Sequence, residues 1–211
     1  MKRGSRIMVA DDHAIVRMGL VQAIKRLRPY ATLYEVEDYK ALTDLVSKEE
    51  LDLAIIDVVM PNGTLQQAID FIKLKQPDLK ILVFSSQDEH LYAVRYLKMG
   101  ADGFLNKLSP QDKIDSALNA MLEKGKFISE QVKESMINET LNKQQVTSNL
   151  ESLTNRELQV ANKLVKGQPL KEISNKLNLH TSTVSTYKNR VFQKLNINSI
   201  PELVEILRSY N

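Results

Sequence analysis

The sequence predicts two domains of different class. Residues 1–125 read as an α/β domain with a doubly wound, five-stranded parallel sheet, and residues 151–211 as an all-α helix-turn-helix domain, with a partly helical linker at 126–150. Three observations predict this. Five short apolar runs alternate with helix-like stretches through residue 125, the pattern of right-handed βαβ crossovers and a sheet covered on both faces. After Leu153 only helical periodicity remains. Charge also divides: residues 1–125 carry 17 Lys+Arg against 18 Asp+Glu, while residues 151–211 carry 9 against 5, so the basic excess of the chain lies in its last 61 residues.

The five runs are Arg6–Ala10, Leu33–Val36, Leu53–Ile56, Ile81–Phe84 and Gly103–Leu105. Ile15, Met18, Val21 and Ile24 give the first intervening helix an apolar face, and Leu42, Leu45 and Val46 do so for the second. Ile69 with Ile72, Val94 with Leu97, and Ile114, Ala117, Leu118 and Met121 continue the alternation. Gly125 to Leu150 is polar, although Val132, Met136, Ile137 and Leu141 line one face of a helix. Thr154 followed by Glu157 makes a capping box for a helix whose stripe is Leu158, Ala161, Leu164 and Val165. A short helix, Leu170 to Leu177, a tight turn at Asn178-Leu179, and a helix from about Thr181 to Leu195 complete a helix-turn-helix.

Composition removes several chemistries. With no Cys, disulfides, thiol catalysis and Cys-ligated metals are excluded, and His13, His90 and His180 are too dispersed for a His cage. Any bound metal must take oxygen ligands. No apolar run approaches the roughly 20 residues of a membrane span, and the apolar stretch after Arg6 is too short for a signal peptide. A cytoplasmic location is expected.

Polar residues recur at the carboxyl ends of the strands, where open parallel sheets bind ligands. Asp11 and Asp12 follow the first run, Asp57 ends the third, Ser85 the fourth, and Lys107 follows the fifth. Each alone reads as a cap, a turn residue or a solvated charge. Together they crowd three carboxylates at one edge, which is costly without a cation. Carboxylates with water and a carbonyl suit Mg²⁺.

Residues 1–125 resemble the receiver domain of a two-component response regulator. Asp11-Asp12, Asp57 with Met60-Pro61, Ser85, Gly100-Ala101-Asp102-Gly103-Phe104 and Lys107 carry the likeness. The resemblance implies strand order 2-1-3-4-5 and phosphorylation of Asp57 by a cognate histidine kinase. It implies Mg²⁺ held by Asp12, Asp57 and the Val59 backbone carbonyl, with Asp11 acting through the hydration shell. Lys107 would pair with phosphoryl oxygens, Ser85 would swing to one of them, and Phe104 would follow inward as an aromatic switch.

Residues 153–197 resemble the LuxR-type DNA-binding domain, so the whole chain resembles a NarL/FixJ-type regulator. Ser174 departs from the usual Ala, and its hydroxyl is expected to bond back to its own helix. A recognition helix in the major groove of double-stranded DNA places Thr181, Ser182 and Thr183 near phosphates. Ser185, Thr186 and Asn189 then face base edges, and Lys188, Arg190 and Lys194 face phosphates. The resemblance assigns homodimerisation on activation to Leu203, Ile206, Leu207 and Tyr210 in the last helix, with an intradomain core contact as the competing reading.

The expected function is transcriptional regulation rather than enzymatic turnover of a separate substrate. An aspartyl phosphatase resembling the haloacid dehalogenase superfamily needs a second Asp two residues after the nucleophile, and Val59 stands there. A receiver that only dimerises, without phosphorylation, is disfavoured by the intact set of Asp11, Asp12, Asp57, Ser85 and Lys107.

Overall fold

The computed structural model describes residues 4–141, 150 and 152–208. They form two compact units, Met1–Met136 and Ile137–Asn211. The first unit runs β1 (Arg6–Ala10), α1 (Ala14–Leu27), β2 (Thr32–Val36), α2 (Tyr39–Lys48), β3 (Leu53–Ile56), α3 (Leu65–Lys75), β4 (Lys80–Ser85), α4 (Glu89–Lys98), β5 (Gly103–Asn106) and α5 (Gln111–Lys124), and α6 (Glu130–Leu141) follows. The strands are parallel, in the order β2-β1-β3-β4-β5, the order that the receiver resemblance implies.

The central strands β3 and β4 are apolar on both sides, as a sheet covered on both faces requires. Alternation sends Ile7, Val9, Ile55 and Phe84 to one face, where they pack with Leu20, Ile24, Leu118 and Met121 of α1 and α5. The buried stripe of α1 is Leu20, Val21, Ala23 and Ile24, whereas Ile15 and Met18 stand 77% and 60% exposed. The apolar face expected from Ile15 and Met18 is thus corrected: these two side chains point away from the sheet, and Val16, Leu20, Val21, Ala23 and Ile24 meet the core.

Phe127 extends the first unit beyond Gly125 by a bridge to Gly103, its N–H donating to Asp102 O at 3.2 Å. Gly125 itself closes α5 in the left-handed region at φ 69°.

The second unit contains α7 (Asn155–Val165), α8 (Leu170–Leu177), α9 (Thr181–Leu195) and α10 (Ile200–Arg208). Thr154 and Glu157 form the reciprocal capping box that the sequence indicates. Asn178, at φ 51°, supplies the left-handed residue that turns the chain from α8 towards α9. Helix α9 packs on α7 and α8 through Val184, Val191 and Leu195. Ser174 is buried, and its hydroxyl donates to Lys171 O at 2.8 Å, the back-bond expected of it.

Leu203 and Leu207 are corrected as exposed dimer contacts. They are 0% and 4% exposed, and their helix packs on α7, so the four-helix unit has room to bury them. Ile206 is half-buried, and Tyr210 lies outside the described residues.

Candidate phosphorylation site and nucleic-acid interface

Parallel register builds the site. Ala10 pairs with Ile56, so the next residues, Asp11 and Asp57, emerge side by side from the adjacent strands β1 and β3. Asp57 N–H donates to Ala10 O at 2.8 Å and closes that ladder. Both carboxylates are buried, at 1% and 5% exposure, while Asp12 lies further out. Lys107 follows β5, held by its N–H to Ser85 O at 2.8 Å. Its ammonium lies 2.6 Å from Asp11 Oδ2 and 3.0 Å from Asp57 Oδ2.

Asp11, Asp12, His13 and Asp57 each present a donor atom within 4.8 Å of the others. One ammonium among three carboxylates leaves a negative site, and oxygen donors in that number suit a hard divalent cation. Burial pushes the Asp57 carboxyl above its ordinary value, while the Lys107 ammonium and the Val58 N–H oppose the shift. Val59 is 52% exposed at the mouth.

Ser85 is buried, and its hydroxyl accepts the Gln87 N–H at 3.2 Å. Gln87 is fixed in turn: its side-chain oxygen accepts from Tyr96 OH, and its carbonyl accepts from Asn106 Nδ2 at 2.7 Å. Phe104 is 2% exposed and stacked on Tyr96, with centroids 6.1 Å apart. In this structure the ring lies inside the domain, in a stack with Tyr96 and Tyr92.

Sequence reasoning missed three residues at this site. His13 Nδ1 lies 2.7 Å from Asp12 Oδ1, and its place directly after the Asp pair was the available signal. Arg17 donates to Asp11 O at 2.6 Å, from the first turn and a half of α1. Tyr39 reaches the Asp57 carbonyl from α2, and nothing near it in the sequence announces that.

On α9, Thr181, Ser182, Thr186, Asn189 and Arg190 are exposed, and Thr183, Ser185 and Lys188 are half-buried. His180 places no side-chain acceptor on the first turn, whose Thr183 N–H donates to His180 O at 3.0 Å, so the amides of Thr181 and Ser182 face outward for an anion. Thr181 donates its hydroxyl to Ser174 Oγ at 3.3 Å, and Lys188 lies 5.3 Å over the Phe192 ring. Lys194 is corrected as a phosphate contact. Its ammonium is engaged within the domain, 2.7 Å from the buried Glu157 carboxylate and 3.0 Å from Ser152 O.

Two family models match this chain: the response regulator receiver domain over residues 7–119, and the bacterial regulatory proteins of the luxR family over residues 151–207. The chain belongs to the NarL/FixJ-type response regulators. This regulator is 30% identical over 210 residues to the Fimbriae Z protein of Escherichia coli (strain K12), covering 97% of this chain and 96% of that protein. It is 31% identical to the oxygen regulatory protein NreC of Staphylococcus carnosus (strain TM300), with 95% of each covered. Among solved structures, the RcsB response regulator of Salmonella typhimurium matches with a TM-score of 0.58 at 25% identity, covering 98% of this chain and 99% of that one. A structure of two RcsB dimers bound to two parallel DNAs matches with a TM-score of 0.58 at 26% identity, covering 99% and 100%. The response regulator is thus a two-component DNA-binding regulator and not an enzyme with a separate substrate. Among the described residues, no helix is long and apolar enough to cross a membrane.

Proposed function

We propose that phosphorylation of Asp57 by a cognate histidine kinase controls DNA binding by this regulator. The observation that carries the reading is a buried Asp57 carboxylate 3.0 Å from Lys107, with the Asp11 and Asp12 carboxylates alongside. An Asp57 oxygen forms the bond to phosphorus as the bond between phosphorus and the donor breaks, and the donor leaves with that electron pair. Asp12, Asp57 and the Val59 carbonyl would hold Mg²⁺, with Asp11 acting through bound water, and the ion would supply positive charge to the phosphoryl oxygens. Lys107 pairs with the same oxygens. Ser85 turns its hydroxyl from the Gln87 N–H to the phosphoryl group, whose 1.5 to 2 negative charges, approximately, and three acceptors bias the β4–α4 loop.

Phosphorylation then favours a homodimer whose two α9 helices occupy half-sites about one helical turn apart, or a multiple of it. In that pose Asn189 with Ser185 and Thr186 reads base edges, and Arg190 and Lys188 meet phosphates. The regulator works in the cytoplasm, where its DNA and its kinase domain are.

Incubation with acetyl phosphate and Mg²⁺, followed by mass spectrometry, tests the acceptor. Wild-type protein gains one phosphoryl group on Asp57, and Asp57→Ala gains none. A label mapped to Asp11 or Asp12 in the wild type overturns the assignment.

A further inference from the structure

Just past β3 the Asp57 N–H still donates to Ala10 O, but the carbonyls that follow leave the ladder, and a buried carbonyl needs a donor. Tyr39, the first residue of α2, provides one. It is 3% exposed, and its hydroxyl lies 3.0 Å from Asp57 O and 2.9 Å from Val58 O, one hydrogen shared between two acceptors. Its own N–H donates to Pro61 O at 3.1 Å. Asn62 Nδ2 donates to Asp38 Oδ2 at 2.8 Å, the residue before Tyr39. At Gly63 the chain passes so close that a Cβ would stand 2.7 Å from Tyr39 Cβ. The start of α2 therefore grips residues 57, 58, 61, 62 and 63 in succession.

This grip lies where the chemistry needs it. The two carbonyls belong to the acceptor and to its successor, and the next carbonyl along is that of Val59. The Val59 side chain is 52% exposed and anchors nothing. The peptide planes that aim the Val59 carbonyl are thus oriented from the Tyr39 side, with buried Met60 holding the chain beyond.

We infer that Tyr39 is a positioning residue for phosphoryl transfer at Asp57: through the carbonyls of residues 57 and 58 it holds the acceptor carboxylate and the Val59 carbonyl in register for the cation. The inference rests on the reading of Asp57 as acceptor. A group that orients metal ligands from outside typically affects affinity or activity by about 10- to 100-fold.

The test is Tyr39→Phe in the full chain, which keeps the ring and removes the hydroxyl. Mg²⁺ affinity is measured by calorimetry without a phosphodonor. The labelling rate with acetyl phosphate is then measured across Mg²⁺ concentrations, separating the half-saturating Mg²⁺ from the maximal rate. The expected result is a rise of about tenfold in both the Mg²⁺ dissociation constant and the half-saturating Mg²⁺, with far-UV circular dichroism unchanged. A folded variant with Mg²⁺ affinity and labelling curve equal to wild type overturns the inference. If the wild type takes no label at Asp57, the acceptor reading fails by itself, and the calorimetric comparison still decides Tyr39. Should Tyr39→Phe unfold, Asn62→Ala releases the same segment at its exposed end: weaker Mg²⁺ binding supports the grip, and unchanged binding overturns it.

Discussion

Replacing Lys194 by Ala is expected to destabilise the DNA-binding unit rather than strip a phosphate contact. The Glu157 carboxylate is 2% exposed and accepts the Thr154 N–H at 2.7 Å, with Lys194 the cation at 2.7 Å on the same oxygen. Breaking a buried pair costs about 3–5 kcal/mol. The Lys194 side chain is 36% exposed, so solvent screens it, and about 1–2 kcal/mol is the expected loss. For a domain of this size each kcal/mol moves the midpoint by about 4–8 °C, giving a fall of about 5–15 °C.

The pH dependence adds a second check. Burial raises the Glu157 carboxyl, but the hydrogen bonds from Lys194 and from the Thr154 backbone and side chain outweigh it and hold it below its ordinary value. A folded-state value below the unfolded one stabilises above the unfolded value and is lost as pH falls through the folded one. The gap between wild type and variant should therefore be full at neutral pH and close below the ordinary glutamate range. Scanning calorimetry of the intact chain, with the receiver transition as internal reference, reads both. A Lys194→Ala chain that melts like wild type at neutral pH, with a salt slope of DNA binding reduced by about 1, would refute the reasoning and put Lys194 on a phosphate.

Other expectations follow from the same geometry. Lys107→Ala removes the cation that competes for Asp11 and Asp57, so Mg²⁺ binding, by calorimetry, should persist and tighten while phosphorylation no longer raises DNA affinity; lost Mg²⁺ binding would contradict this. Asn189→Ala should relax preference at one base position by about 1–3 kcal/mol in a binding-site selection assay, whereas Lys188→Ala should weaken all sequences alike and lower the salt slope by about 1. The exposed, apolar Val59 cannot orient an attacking water, so Val59→Asn should shorten the acyl-phosphate lifetime, read as decay on phosphate-affinity gels. An unchanged decay rate would place control of water elsewhere.

The sequence alone carries the alternation of strands and helices, because a buried parallel strand must be apolar throughout and each crossover helix must cover it. It also placed Asp11, Asp57, Ser85 and Lys107 at strand ends, and parallel register turned that common position into a shared site through the Ala10–Ile56 pair. The capping box at Thr154 and Glu157 and the back-bond of Ser174 were legible because their partners lie three residues away. Lys194 could not be read so: its partner is 37 residues distant and depends on how α9 crosses α7. Tyr39 meets the Asp57 carbonyl across 18 residues, at the joint between α2 and the end of β3. The burial of Leu203 depends on the volume left between four helices, and the inward Phe104 on the tyrosines of α4 behind it. Local periodicity records which side of an element is apolar. Only the packed structure decides what that side meets, because the contact is set by crossing geometry and the volume between elements.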